Sequence, residues 1–180
     1  MPNECEWITY FDPKKILKSI GLNKYVRDVA DFGCGYGTFT MPAAQIVSGI
    51  VYAIDIDPKM LKIVNDKLLK NAVSNVKTLK RDILREGSGL EDGSVDFVLL
   101  FNMLHTKYPL RLLREAHRIL RNNGCVAIIN WSLDQAMGLP LEMKPSLEAS
   151  ISWCVKSGFN LNSKKVYDFK PYHYSLVMKK

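Results

Sequence analysis

Short apolar, β-branched runs alternate with stretches in which apolar residues recur every three or four positions. That alternation is the mark of strands and helices built into a parallel α/β sheet. The runs at residues 26–32, 50–55, 76–79, 95–101 and 125–130 read as five strands. Helical spacing is carried at 13–20 by Ile16, Leu17 and Ile20, with Gly21 as the stop. A helix is predicted at 39–47 with Pro42 in its first turn, and another opens at Pro58 with Leu61, Val64 and Leu68 on one side. Residues 109–120 place Leu112, Leu113, Ala116, Ile119 and Leu120 inward and end at Asn122-Asn123-Gly124. Residues 145–157 repeat the pattern through Leu147, Ile151, Cys154 and Val155. The polar, glycine-rich stretch 86–93 reads as a loop or a short, irregular crossover. Strands at 160–168 and 173–178, joined by Phe169-Lys170-Pro171-Tyr172, close the chain as a hairpin. The expected fold is α/β: a doubly wound, mostly parallel seven-stranded sheet, helices on both faces and a C-terminal antiparallel hairpin, as one domain over residues 1–180. Ligands of such sheets bind beyond the carboxyl ends of the strands, where strand order reverses.

That location collects the informative residues. The first strand runs into Asp31-Phe32-Gly33-Cys34-Gly35-Tyr36-Gly37. Glycines there allow positive φ and close approach of backbone N–H groups to a ligand. The spacing is G-x-G-x-G, and the dinucleotide fingerprint would need glycine where Thr38 stands, which disfavours a nicotinamide oxidoreductase. Asp31, two positions before Gly33, would repel a pyrophosphate but suits a cationic ligand with an amino group. About 20 positions beyond the turn, an acidic residue hydrogen-bonds the ribose hydroxyls of a nucleoside in this kind of fold, and Asp55 stands there. Asp57, before Pro58, reads instead as a helix N-cap. Asp82 closes the third strand, where it would accept from an exocyclic amine with Ile83 against a purine; a surface ion pair with Arg81 is the competing reading.

These residues resemble the class I S-adenosylmethionine-dependent methyltransferases, in the small-molecule branch typified by ubiquinone/menaquinone-type and arsenite-type enzymes. The resemblance rests on VADFGCGYGTF, VYAIDIDPKML, RDI, VDFVLLFNMLH and LLREAHRILRNNGCVAIINW. It implies S-adenosylmethionine as cofactor, its methionine end at Asp31 and Gly33 within the turn completed by Gly35 and Gly37. It further implies the ribose at Asp55 with Ile56 alongside, the adenine at Asp82 and Ile83, and Asn102 along the sulfonium side. The segment after the fourth strand commonly faces substrate in these enzymes, which makes His105 the candidate base or positioning group; capping the next helix or touching the cofactor is the alternative role. The segment reads Asn102-Met103-Leu104-His105 where amino-directed enzymes carry N/D-P-P-Y/F, so that chemistry is disfavoured.

Composition narrows the picture further. Of 180 residues, 47% are hydrophobic and 24% charged, as expected of one globular domain. No apolar run approaches the roughly 20 residues that span a bilayer, and Glu4 and Glu6 lie where a secretion signal would be basic. Cys5, Cys34, Cys125 and Cys154 form no C-x-x-C pair, so no metal site or disulfide framework is expected, arsenite is unsupported as an acceptor, and a cytoplasmic setting fits. The net charge of +7 is spread along the chain, with pairs such as Lys164-Lys165, and indicates nucleic acid only weakly. Tyr10, Phe11, Trp131, Tyr172 and His173 are candidate pocket aromatics, though packing explains each as simply. The stretch 132–144 is short enough to give only a minimal cap, hence an open site, a site completed by dimerisation, or a large substrate. The sequence therefore predicts methyl transfer from S-adenosylmethionine to an unidentified acceptor, a small molecule ahead of RNA or protein, with a non-catalytic cofactor-binding protein as the alternative.

Overall fold

The computed structural model describes residues 12–133, 138–169 and 171–180. Tyr10 and Phe11, and part of the predicted cap, lie outside them. In chain order the elements are α1 (Pro13–Ser19), β1 (Val29–Phe32), α2 (Thr40–Ile46), β2 (Val51–Asp55), α3 (Pro58–Lys70), β3 (Val76–Lys80), α4 (Ile83–Glu86), β4 (Val95–Phe101), α5 (Pro109–Ile119), β5 (Leu120–Trp131), a 3-10 turn (Leu141–Met143), α6 (Leu147–Lys156), β6 (Asn160–Phe169) and β7 (His173–Lys179). The seven strands form one sheet in the order β3-β2-β1-β4-β5-β7-β6. β1 to β5 are parallel, and β7 runs antiparallel to both β5 and β6. The predicted architecture is the observed one.

β4 shows why the pattern was readable. Its side chains alternate between two cores: Val98 and Leu100 pack with α5 residues Leu112, Leu113 and Ala116, while Phe97, Leu99 and Phe101 pack with Ile16 and Leu17 of α1 and Ala43 and Ala44 of α2. A strand covered on both faces is apolar along the covered stretch, here Phe97 to Phe101, while Asp96 lies at its edge with its carboxylate on the Arg27 and Asp28 amides. α3 closes its part of the second face with Leu61, Val64 and Leu68 against Ala53 and Cys34. After β3 the chain crosses to the far side of β1 and forms β4, so the strand order reverses between β1 and β4. The crevice beyond that pair is where the fold opens to a ligand. No helix among the described residues is long and apolar enough to cross a membrane.

One local expectation is sharpened and another corrected. The stretch 86–93 is without helix or strand after Glu86, the last residue of one helical turn, α4, capped by Asp82, whose Oδ1 accepts from the Leu84 amide at 3.1 Å. Asn122-Asn123-Gly124, read as a turn before the fifth strand, lies inside β5, with Leu120 already paired with Val95. The register shifts there and Asn123 has φ 65°, so the turn residues serve an irregularity in a strand.

Candidate functional site

A cavity of about 560 Å³ opens across the carboxyl ends of β3, β2, β1, β4 and β5. On the β1 side it is lined by Asp31, Gly33, Cys34, Gly35, Tyr36 and Thr38. β2 and β3 supply Ile54, Asp55, Ile56, Arg81, Asp82 and Ile83. Phe101, Asn102, Met103 and His105 follow from β4, Leu112 from α5, and Trp131 with Gly138 and Leu139 from β5 and beyond. Of the predicted site residues, Asp31, Gly33, Gly35, Asp55, Ile56, Asp82, Ile83, Asn102 and His105 all face this one cavity. Gly37 sits one turn behind, where an added Cβ would press on Val64 at 3.1 Å.

The glycine turn is built by backbone bonds. Gly33 and Cys34 amides both donate to the Ile54 carbonyl, at 2.8 and 3.1 Å, and the Gly37 amide closes the turn on the Cys34 carbonyl at 2.9 Å. Gly33 has φ 70°, and a Cβ there would overlap the sulfur of Met103. The positive φ is what favours glycine at this position. Asp55 spans from β2 to this turn: its Oδ2 accepts from the Gly35 amide and its Oδ1 from the Asp57 amide, each at 2.9 Å. Asp57 caps α3 by accepting from the Lys59 amide at 2.8 Å, the role its place before Pro58 indicated.

Asp31 is 4% exposed, and the Thr40 hydroxyl donates to its Oδ2 at 2.5 Å. Burial pushes its pKa up to about 7; the Thr40 bond opposes this and the Asp55 charge adds to it. Burial, reinforced by Asp31 and Asp55, also pushes the Cys34 thiol up, which keeps it protonated and inert. Asp82 pairs with Arg85 at 3.5 Å in place of Arg81, which reaches Glu86 at 3.6 Å. Three lining side chains hold buried polar atoms without a protein hydrogen-bond partner: Thr38 Oγ1, both amide atoms of Asn102, and His105 Nδ1. Asn102 has φ 52°, and its amide donates to the Ile129 carbonyl at 2.6 Å. Burial lowers the His105 pKa, partly opposed by the Asn102 backbone.

Trp131 reaches the cavity, while Tyr172 and His173 stand behind it: the His173 ring lies 4.3 Å from the Trp131 ring and 6.5 Å from that of Tyr172. Burial, with the Lys144 charge, brings His173 down to about 3, so it is neutral there. Thr38, in the cavity lining, and Thr40, bonded to Asp31, are site groups that the glycine and carboxylate spacing does not single out. Thr40 was detectable only as a hydroxyl one helical turn past the glycines.

A second network steadies one wall. The Ser88 amide and hydroxyl donate to Glu115 Oε1 at 2.7 and 2.6 Å, Arg118 binds both Glu115 oxygens, and Arg118 Nη2 donates to the Leu90 carbonyl at 2.8 Å. Burial alone would raise the Glu115 pKa, but Arg118 and Ser88 overcome it and hold it at about 2. This straps the loop after α4 to α5, beside Asp82 and Ile83. Glu115→Ala is expected to cost about 2–3 kcal/mol of stability, read as a lower urea midpoint. Amide exchange at residues 83–90 should rise ahead of global unfolding, and an unchanged pattern there would place the anchor elsewhere.

A glycine cradle, anchored carboxylates and buried unsatisfied polar atoms around one cavity fit a nucleoside carrying an amino acid. The relatives agree. Residues 30–128, more than half of the chain, match the family model described as Methyltransferase domain. A demethylmenaquinone methyltransferase of Lactococcus lactis is 31% identical over 107 residues, 58% of this chain and 42% of that protein. A ribosomal protein L11 methyltransferase of a Thermoanaerobacter species is 30% identical over 96 residues, 53% of this chain and 29% of that protein. The chain thus spans less than half the length of these two curated relatives. Among solved structures, an S-adenosylmethionine-dependent methyltransferase from Aquifex aeolicus superposes with a TM-score of 0.85 at 27% identity, covering 98% of this chain and 93% of the other. With the family match, the glycine turn and the strand order in agreement, this chain belongs to the methyltransferase domain family, within the class I S-adenosylmethionine-dependent methyltransferases.

Proposed function

We propose that the chain transfers a methyl group from S-adenosylmethionine to a small-molecule acceptor, residues 1–180 working as one methyltransferase domain in the cytoplasm. The observation that carries the reading is Asp55, fixed by the Gly35 and Asp57 amides at 2.9 Å and facing the same cavity as buried Asp31. When bound, the cofactor supplies an electrophilic methyl group on a sulfonium. Asp31 meets its ammonium group, with Gly33 and Gly35 giving room for the backbone to approach and Gly37 closing the turn. Asp55 accepts from the ribose hydroxyls beside Ile56. Asp82 and Ile83 hold the adenine, and Asn102 lies toward the sulfonium. His105 Nδ1 is the group available to hold the acceptor's proton. The protein's share is position and electrostatics. Free thiols at Cys34, Cys125 and Cys154 suit a reducing compartment.

A macromolecular acceptor is the second reading, favoured by the net charge of +7 and by relatives named for ribosomal protein L11. Two measurements decide. Thermal unfolding should shift upward with S-adenosylhomocysteine and not with NAD; stabilisation by NAD alone overturns the cofactor. Tritium from labelled cofactor should enter the small-molecule fraction of a cell extract. Label in RNA or protein moves the acceptor to that class, and persistent absence of label leaves a binding protein.

A further inference from the structure

Lysines and arginines are spread along the chain, but their surplus over acids is not. From the start of α3 to the end of β3, residues 58–80, there are six lysines and one aspartate, a surplus of five. The remaining residues hold 19 basic and 17 acidic side chains, a surplus of two. Most of the net charge of +7 therefore sits on one helix and one strand, and the fold sets them side by side. Thr78 Oγ1 donates to Asn65 Oδ1 at 3.1 Å, which ties one flank of α3 to β3. β3 is the end strand of the sheet, so that flank and the strand edge form one open surface.

Two of the six lysines are committed. Lys62 pairs with Asp66 at 2.8 Å, and Lys67 donates to the Tyr36 carbonyl at 2.6 Å. Lys59, Lys70, Lys77 and Lys80 are exposed and enter no ion pair among the described residues. Strand alternation puts Lys80 on the α3 side with Thr78, and Lys77 on the other, where its Nζ stands 5.9 Å from the Tyr52 ring centre. The charge thus runs across α3 and around the strand edge. Lysines on β3 alone would only guard an open edge against another strand. α3 has no such edge, yet it carries four of the six.

The chemistry of this face selects its partner. α3 spends Leu61, Val64 and Leu68 on the core, and Leu69 is the one large apolar side chain it leaves exposed. A membrane-bound helix turns an apolar face outward, and a stable protein interface has an apolar centre. A face of lysines suits a chain of phosphates, which they bind as point charges with release of counterions. Cations on both sides of a strand edge suit a flexible single strand, whereas a duplex is stiff over about 150 base pairs. β3 leads into Arg81, part of the cavity lining, so a strand held here reaches the cavity rim.

We propose that the α3–β3 face, through Lys59, Lys70, Lys77 and Lys80, docks single-stranded RNA by its phosphate backbone. This goes beyond methyl transfer and does not rest on it. The test is fluorescence anisotropy of the full chain with a labelled oligouridylate of about 16 nucleotides. Binding is expected with a Kd on the order of 10 µM at about 50 mM salt. Four phosphate contacts on a single strand should make it about fiftyfold weaker at about 200 mM. Combining Lys59→Gln, Lys70→Gln, Lys77→Gln and Lys80→Gln should weaken binding about tenfold or more and flatten the salt dependence. Lys14, Lys15, Lys164 and Lys165 are also exposed. Changing those four to Gln removes the same charge elsewhere and should cost less than about threefold. Melting followed by circular dichroism reports that both variants are folded. No binding at low salt, equal losses in the two variants, or a duplex bound as tightly as the single strand overturns the inference. So does tighter binding to polyglutamate or to phosphatidylglycerol vesicles, which assigns the face to an acidic protein or to a membrane. The cofactor reading stands in each case, because S-adenosylhomocysteine binding is measured separately.

Discussion

Asp55→Ala is expected to weaken S-adenosylhomocysteine binding about a hundredfold, on the order of 3 kcal/mol, while the protein stays folded. Two losses combine. The ribose hydroxyls lose a charged acceptor, and hydrogen bonds to charged groups are the strong ones. The Gly35 amide also loses the Oδ2 atom that holds it at 2.9 Å, so the turn itself is released. The sheet should tolerate the change, because the backbone of Asp55 stays paired with Lys80 in the β2–β3 ladder. Asp55→Asn separates the two effects: its single carbonyl oxygen can keep the Gly35 bond but offers the ribose no charge, and an intermediate loss is expected. Asp57→Ala is the control. It removes the cap of α3, about 1 kcal/mol of stability, with little change in affinity. If Asp57→Ala weakened binding and Asp55→Ala did not, the ribose role would move to Asp57.

How far the sequence reached follows from where each signal is stored. β4 was readable because both faces of its Phe97–Phe101 stretch are covered, so the strand ends where that apolar run ends. β1 was predicted three residues too long at its start. Arg27 and Asp28 turn their amides onto the Asp96 carboxylate, at 2.9 Å each, while their carbonyls accept from the Gly49 and Asp96 amides at 2.9 and 2.8 Å, so a side chain stands in for the strand partner on the donor side alone. Nothing in the apolar pattern distinguishes those two modes. α4 was invisible because a single helical turn has no period to detect, with only Ile83 of its four residues buried. Missing that turn also hid the ion pair of Asp82, since Arg85 is its neighbour only on a helix.

The site divides in the same way. Asp31, the glycines, Asp55 and Asp57 belong to local grammar, a strand end, a turn and a cap, and could be read in order. Contacts between distant segments could not. Met103 over Gly33, Phe101 edge-on to Phe39 at 4.6 Å, and Trp131 clamped by His173 each depend on which loops the sheet order brings together. The lining beyond β4 and β5 is built almost wholly from such contacts, which is why the lining from β1 and β2 was the more legible in the sequence.

Affinity for S-adenosylhomocysteine is expected to climb about tenfold per pH unit up to neutrality and then level off, because Asp31 must lose a proton to meet the ligand's ammonium group. Its pKa of about 7 in the folded protein stands well above the ordinary 3.8. Below neutrality the site therefore carries a neutral acid, and binding must expel its proton. At pH 7 that is about half a proton released per ligand, measurable by calorimetry in buffers of different ionisation enthalpy. Stability should respond with the opposite sign. Between about pH 4 and 7 the unfolded chain has given up this proton and the folded chain has kept it, so the contribution of Asp31 to stability falls as pH rises through that window and is constant above it. Asp31→Asn removes the buried charge and still accepts the Thr40 hydroxyl bond. It should raise stability above neutral pH by on the order of a few kcal/mol, lower ligand affinity, and flatten the pH profile of binding. A buried carboxylate that destabilises its own fold belongs where a cationic ligand will use it. Flat affinity from acid to neutral pH, or an Asp31→Asn variant that binds as tightly as the parent, would remove Asp31 from the site.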